Sequence, residues 1–189
     1  MVLFQAYDSH LDQLTDVAGR VSRALTEARI PYRVVGGLAV LFHVRARDPM
    51  AARLTRDVDL AIDRTDLARI VEAVRAVGLV HRHVAGVDML MDAAEPSARS
   101  AVHLVFVREK VRPEYLEAVP DFSAPVVSEE GLLVAPVADL VRMKLTSFRL
   151  RDKTHLADMD AVGLITAEIE AQLPDTLRER LEQVRAEEP

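Results

Sequence analysis

The order of hydrophobic periods along the 189-residue chain predicts an α+β fold. Three observations carry this. Residues 8–29 place Leu11, Leu14, Val17, Val21, Leu25 and Ala28 at helical spacing. Between residues 32 and 135, short apolar runs with strand periodicity alternate with helical stretches. From Pro136 onward only helical spacing remains.

The first helix is expected to be capped by Asp8 or Ser9 and ended by Pro31. Residues 32–35 form a strand, and a short apolar helix follows from Leu38 to about Val44. Residues 45–56, with Arg45, Arg47, Arg53 and Asp48-Pro49, read as a polar loop, either a substrate-contacting lid or a solvated connection. Residues 57–62 form a second strand, and Thr65 is the expected cap of a helix reaching about Val77. Residues 79–84 and 87–91 read as a hairpin around Ala85-Gly86, and residues 101–107 as a further strand after a loop containing Pro96. Residues 108–131, broken by Pro113, Pro120 and Pro125, read as irregular, and residues 131–135 as a short strand. Pro136 suits a first helical position; later helices are expected at about 153–162 and 166–186, the last bent or restarted at Pro174. The expected organisation is a core over residues 1–135 with a C-terminal helical segment over 136–189 packed on it.

Composition narrows the function. Half the residues are apolar, enough for a real core, while a net charge of −6 and a pI near 5.5 provide no global basic field to attract nucleic acid. Without cysteine there is no thiol nucleophile and no Cys-based zinc site. No apolar run reaches the roughly 18 residues of a membrane span, and residues 1–10 lack the form of a signal peptide, so a soluble cytoplasmic protein is expected.

The informative stretch is 34–62. Gly36 and Gly37 end an apolar strand and open a helix, where the missing side chains permit a sharp turn and close ligand approach. A helix start presents unpaired N–H groups suited to phosphate. Asp57 and Asp59 alternate with Val58, Leu60 and Ile62, so both carboxylates leave one strand face about 7 Å apart. Like charges on one face repel, and a divalent metal, Mg²⁺ or Mn²⁺, would offset that cost; the plain alternative is a solvated acidic strand.

Gly-Gly at a strand-to-helix turn followed by Asp-x-Asp on the next strand resembles the nucleotidyltransferase superfamily with the polymerase-β-like fold. The segments VVGGLAVLFH and LTRDVDLAI are most similar to bacterial AbiEii toxin-like nucleotidyltransferases. The resemblance spans roughly residues 30–165 and implies a mixed sheet flanked by helices. It implies transfer of a nucleoside monophosphate from an NTP to a hydroxyl on RNA, protein or a small molecule, with Mg²⁺ or Mn²⁺ as cofactor. Such proteins often act on tRNA or protein and are encoded beside an antitoxin.

Related enzymes carry a third carboxylate on a later strand, where this chain has His103. His103 has three readings: a ligand acceptable to Mn²⁺, the base that takes the acceptor's proton, or a half-buried histidine bonded to backbone. Asp88 is the other candidate for the missing acid. The resemblance further implies that Lys144 reaches the triphosphate, that Arg149 clamps a phosphate or stacks on a base, and that Asp152 and Asp158 orient them. The plain alternative for this cluster is a helix face laced with ion pairs. His81 and His83 read as a metal pair or a solvated edge, and Arg108, Lys110 and Arg112 as an RNA-guiding run or a charged loop. A second function class follows from His103: a catalytically degenerate fold that holds nucleotide or a partner without turnover.

Overall fold

The computed structural model describes residues 2–94, 96 and 101–187, with side chains from residue 11 onward. In chain order the elements are α1 (Val2–Glu27), β1 (Tyr32–Val35), α2 (Gly36–Arg47), β2 (Val58–Ile62), a 3₁₀ turn (Arg64–Asp66), α3 (Leu67–Arg75), β3 (Leu79–Val84), β4 (Val87–Asp92), β5 (Val102–Phe106), β6 (Val126–Val127), β7 (Leu133–Val134), α4 (Val137–Ser147), α5 (Leu150–Ala161), α6 (Ala167–Ala171) and α7 (Asp175–Glu187). The strands form one mixed sheet in the order β3-β4-β5-β2-β1-β7-β6. β2 runs antiparallel to β1 and parallel to β5, so the sheet's centre is built from the strands that flank the glycine and aspartate motifs.

Helix α2 explains why the motif stretch is so apolar. Its residues Gly37 to Phe42 and Val44 are all buried, because it lies between β1 and β2 on one side and α4 and α5 on the other. A helix that is hydrophobic all round has no face for water. Leu38, Leu41, Leu140, Leu145, Leu156 and Met159 join the sheet residues in one continuous core. Full burial of each such side chain stabilises the fold by roughly 1.5–3 kcal/mol. No helix among the described residues is long and apolar enough to cross a membrane.

Several boundaries differ from expectation. α1 begins at Val2, so Asp8 and Ser9 lie inside it instead of capping it. α2 starts at Gly36 and runs to Arg47, because Arg45 and Arg47 suit the carbonyl end of a helix, and the polar loop shrinks accordingly. Asp63, not Thr65, caps the turn before α3, accepting the Thr65 N–H at 2.9 Å. The two-residue strand β6 lies in the stretch read as irregular, where two valines pair with β7. Pro136 is the N-cap of α4, one place earlier than expected. α5 starts at Leu150, three residues early, because the Asp152 carboxylate accepts the Arg149 N–H at 3.2 Å and fixes the helix start. The final helix does restart at Pro174 as expected, which divides it into α6 and α7. Residues 95 and 97–100, around the expected loop at Pro96, lie outside the described residues.

Candidate active site

The site begins at the bend between β1 and α2. Gly36 has φ +69°, a backbone conformation that side chains disfavour, and a Cβ there would lie 1.9 Å from Asp59 Oδ2. A Cβ on Gly37 would lie 2.5 Å from Thr55 Oγ1 and 3.3 Å from His155 Cε1. Both glycines are therefore required by what packs against them, and the bend and the second aspartate touch. Val35, the N-cap of α2, supplies no side-chain hydrogen bond, so the helix opens without the usual capping oxygen.

The sheet register places Asp59 opposite Val35 on β1 and opposite His103 on β5. Paired residues share a face, so Asp59 and His103 emerge together beside the bend. His103 Nδ1 lies 3.5 Å from Asp59 Oδ1, and both side chains are about a quarter exposed. The His103 pKa is raised above the ordinary imidazole value by its hydrogen-bonding contact with Asp59, against burial, with the charges of Asp59 and Asp57 adding to the rise. Asp57 stands one residue before β2, and its Oδ2 accepts from Arg151 Nη1 at 3.2 Å.

Behind the bend is a buried polar network. Lys144 Nζ donates to Asp152 Oδ1 at 2.9 Å, with the lysine side chain 8% and the aspartate 0% exposed. Asp152 Oδ2 also accepts from Ser147 Oγ at 2.7 Å and Arg149 Nε at 2.8 Å. Burial pushes the Asp152 pKa up, yet the Arg149 hydrogen bond, the charge and hydrogen bond of Lys144 and the Ser147 hydroxyl together hold it well below the carboxylate range. The Arg149 pKa is raised by its hydrogen bond to Asp152, against burial, and then by the charges of Asp152, Tyr115 and Asp59. His155 is held down to about 4, first by burial and then by Lys144, so it is neutral at pH 7. Its Nδ1 is buried without a hydrogen-bond partner.

The structure thus brings Gly36, Gly37, Asp57, Asp59 and His103 together, while Arg149 is bonded to the buried Asp152. Lys144, expected on the triphosphate, is held in the interior by Asp152. Asp158 accepts from Arg53 Nε at 2.8 Å, tying the loop before β2 to α5. Asp88 does not complete the acid set. It pairs with Leu104 while its neighbour Met89 pairs with His103, so Asp88 lies on the other face of the sheet. There it accepts from His81 Nε2 at 2.7 Å and contacts His83 Nδ1 at 3.1 Å; both histidines lie on the edge strand β3, where His83 is solvated as expected and His81 is half-buried against Asp88. Two contributors were not singled out from sequence: Thr55 against Gly37 and Arg151 on Asp57; His155, read as part of an ion-paired helix face, instead packs against Gly37. Only the Arg-x-Arg-Asp run at 149–152 signalled any of them.

Among the described residues, no group of three histidine or acidic side chains is set to hold a metal ion. Two neighbouring carboxylates nevertheless suit a hard cation such as Mg²⁺, which keeps waters and completes its shell with substrate phosphates.

No protein-family model matches the chain, and no curated protein matches it. Among solved structures it is similar to ANT(2'')-Ia in complex with adenylyl-2''-tobramycin, with a TM-score of 0.54 and 12% identity over 89% of this chain and 97% of that one. The solution structure of the antibiotic-resistance factor ANT(2'')-Ia gives a TM-score of 0.48 at 12% identity, covering 91% of this chain and 82% of that one. JHP933 from Helicobacter pylori gives 0.44 at 13% identity, over 94% and 92%. At such identities the likeness is one of fold, and the fold is the nucleotidyltransferase-like α+β arrangement of a mixed sheet flanked by helices.

Proposed function

We propose that the chain is a metal-dependent nucleotidyltransferase that moves a nucleoside monophosphate from an NTP to a hydroxyl acceptor. The observation that supports this most strongly is the contact between the Gly36 bend and Asp59, with Asp57 and His103 alongside, at the uncapped start of α2. A protein of similar fold was solved in complex with adenylyl-2''-tobramycin.

In this reading the N–H groups of Gly36 and Gly37 receive phosphate oxygens, helped by the helix dipole. Asp57 and Asp59 would hold Mg²⁺ or Mn²⁺, which when bound offsets phosphate charge and acidifies the acceptor hydroxyl. Arg149, with its guanidinium anchored on Asp152, would supply positive charge to the polyphosphate. The acceptor oxygen bonds to the α-phosphorus, the bond to pyrophosphate breaks, and the hydroxyl proton passes to His103. Asp59 orients that ring through Nδ1, leaving Nε2 to take the proton. Lys144 and Asp158 act through their partners, Lys144 by fixing Asp152 and Asp158 by fixing Arg53.

The acceptor is a hydroxyl of tRNA, protein or a small molecule. The AbiEii-like, toxin-like role with an antitoxin partner rests on the resemblance in residues 34–62. Incubation with each α-labelled NTP, Mg²⁺ or Mn²⁺, and in turn total tRNA, cell protein and small polyols tests the reading. Transfer is expected, and Asp57→Ala reduces it at least about 100-fold without changing the melting temperature. Binding of NTP without transfer to any acceptor would replace the enzyme with a nucleotide-holding module, and neither binding nor transfer would overturn both.

A further inference from the structure

The Asp57 carboxylate already has a cation. Arg151 Nη1 donates to its Oδ2 at 3.2 Å. The two side chains are 67% and 39% exposed, so this is a separable, solvent-screened pair. Arg151 is the second residue of α5, and the start of that helix is fixed by Asp152, which accepts from Arg149 N, Arg149 Nε and Ser147 Oγ. The backbone carrying Arg151 is therefore rigid while its guanidinium is free to leave. The contrast with Arg149, two residues earlier, is direct: that guanidinium is held by a fully buried carboxylate.

A guanidinium and a divalent cation compete for the same carboxylate oxygens. Without a third protein donor, two carboxylates hold a small hard cation only together with other oxygens, such as those of a polyphosphate. A triphosphate also offers the guanidinium a planar, bidentate partner in exchange. We infer that Arg151 is an exchangeable counter-ion, bonded to Asp57 in the free protein and transferred to the polyphosphate when nucleotide and divalent cation enter together. Metal and nucleotide then bind cooperatively, and the metal is not resident beforehand. The inference rests on the nucleotidyl-transfer reading and adds to it an order of binding and a residue that sets it.

The test is Mn²⁺ binding to the full chain, followed by electron paramagnetic resonance, with and without an α,β-methylene NTP analogue, for wild type, Arg151→Gln and Asp57→Asn. In wild type the analogue tightens Mn²⁺ binding about tenfold or more. In Arg151→Gln, Mn²⁺ alone binds about threefold or more tightly than to wild type, because its competitor is gone, and the analogue binds about tenfold more weakly. These shifts have opposite signs, which misfolding does not produce. Mn²⁺ affinity without analogue that is unchanged or weakened in Arg151→Gln overturns the inference, even where wild type binds the Mn²⁺–analogue pair. Failure of wild type to bind that pair, or the same binding in Asp57→Asn, instead overturns the metal-site reading on which it rests.

Discussion

Each glycine of the bend has a histidine close by, and the two respond to their surroundings in opposite directions. His103, whose partner Asp59 abuts Gly36, has its pKa raised by that aspartate; His155, against Gly37, is held down to about 4 by burial and Lys144. The same division runs through the acids. Asp57 and Asp59 are partly exposed, with Arg151 at 3.2 Å from the first and His103 at 3.5 Å from the second. Asp152 is fully buried and satisfied by Lys144, Arg149 and Ser147. In front of the bend the polar groups are left with unused bonding capacity; behind it Lys144, Asp152, Arg149 and Ser147 spend theirs on each other, while His155 Nδ1 is left without a partner. The difference separates a surface that can accept a ligand from the framework that holds it still.

The largest effect is expected in the framework. Asp152→Ala leaves Lys144 buried without its counter-charge and removes the acceptor that starts α5. Loss of one partner of a buried pair costs about 3–5 kcal/mol, measured as unfolding free energy in urea. Adding Lys144→Met to that variant removes the stranded charge and is expected to restore a large part of the loss. If Asp152→Ala were as stable as wild type, the contrast between the two halves would collapse.

The histidines sharpen the comparison through pH. Between an ordinary value near 6.5 and about 4, the unfolded chain takes up a proton that folded His155 refuses. Its contribution to stability is therefore complete above about pH 6.5 and is lost as the pH falls toward 4, by an amount on the order of 3 kcal/mol. His103 runs the other way: its raised pKa makes a contribution that is present below the unfolded value and fades as the pH rises through the folded one. Unfolding free energy measured from pH 7 down to pH 4 should fall less steeply in His155→Asn than in wild type. An unchanged slope would place His155 in water instead of behind Gly37.

Much of the front half was legible in sequence because it obeys local rules. Two glycines at a strand end and two acids at strand period specify a bend and a shared face without knowledge of the rest of the chain. The α+β order and the restart at Pro174 were legible for the same reason. Asp88 was misplaced because facing is decided by register across β4 and β5, and a shift of one residue inverts it. The back half was harder still. Asp152 reads as one charge in a mixed-charge run; its burial depends on α5 packing against α2 and α4, which no local pattern states. Lys144 was noticed for its apolar neighbours, which report burial and not the identity of its partner.

The smallest expected effect tests where the loop between α2 and β2 belongs. Arg53 reaches Asp158 on α5 at 2.8 Å, but the arginine side chain is 65% exposed and the aspartate 12%. Water takes over the bond when the arginine is removed, so Arg53→Ala should change unfolding free energy by less than about 1 kcal/mol. Its consequence is instead kinetic: untethering the loop that carries Thr55 and leads into Asp57 loosens the acids more than the fold. Amide hydrogen exchange over residues 48–57 should speed up in Arg53→Ala while exchange in α5 stays slow. A loss of 2 kcal/mol or more, or faster exchange in α5 itself, would instead assign this loop to the rigid half behind the bend.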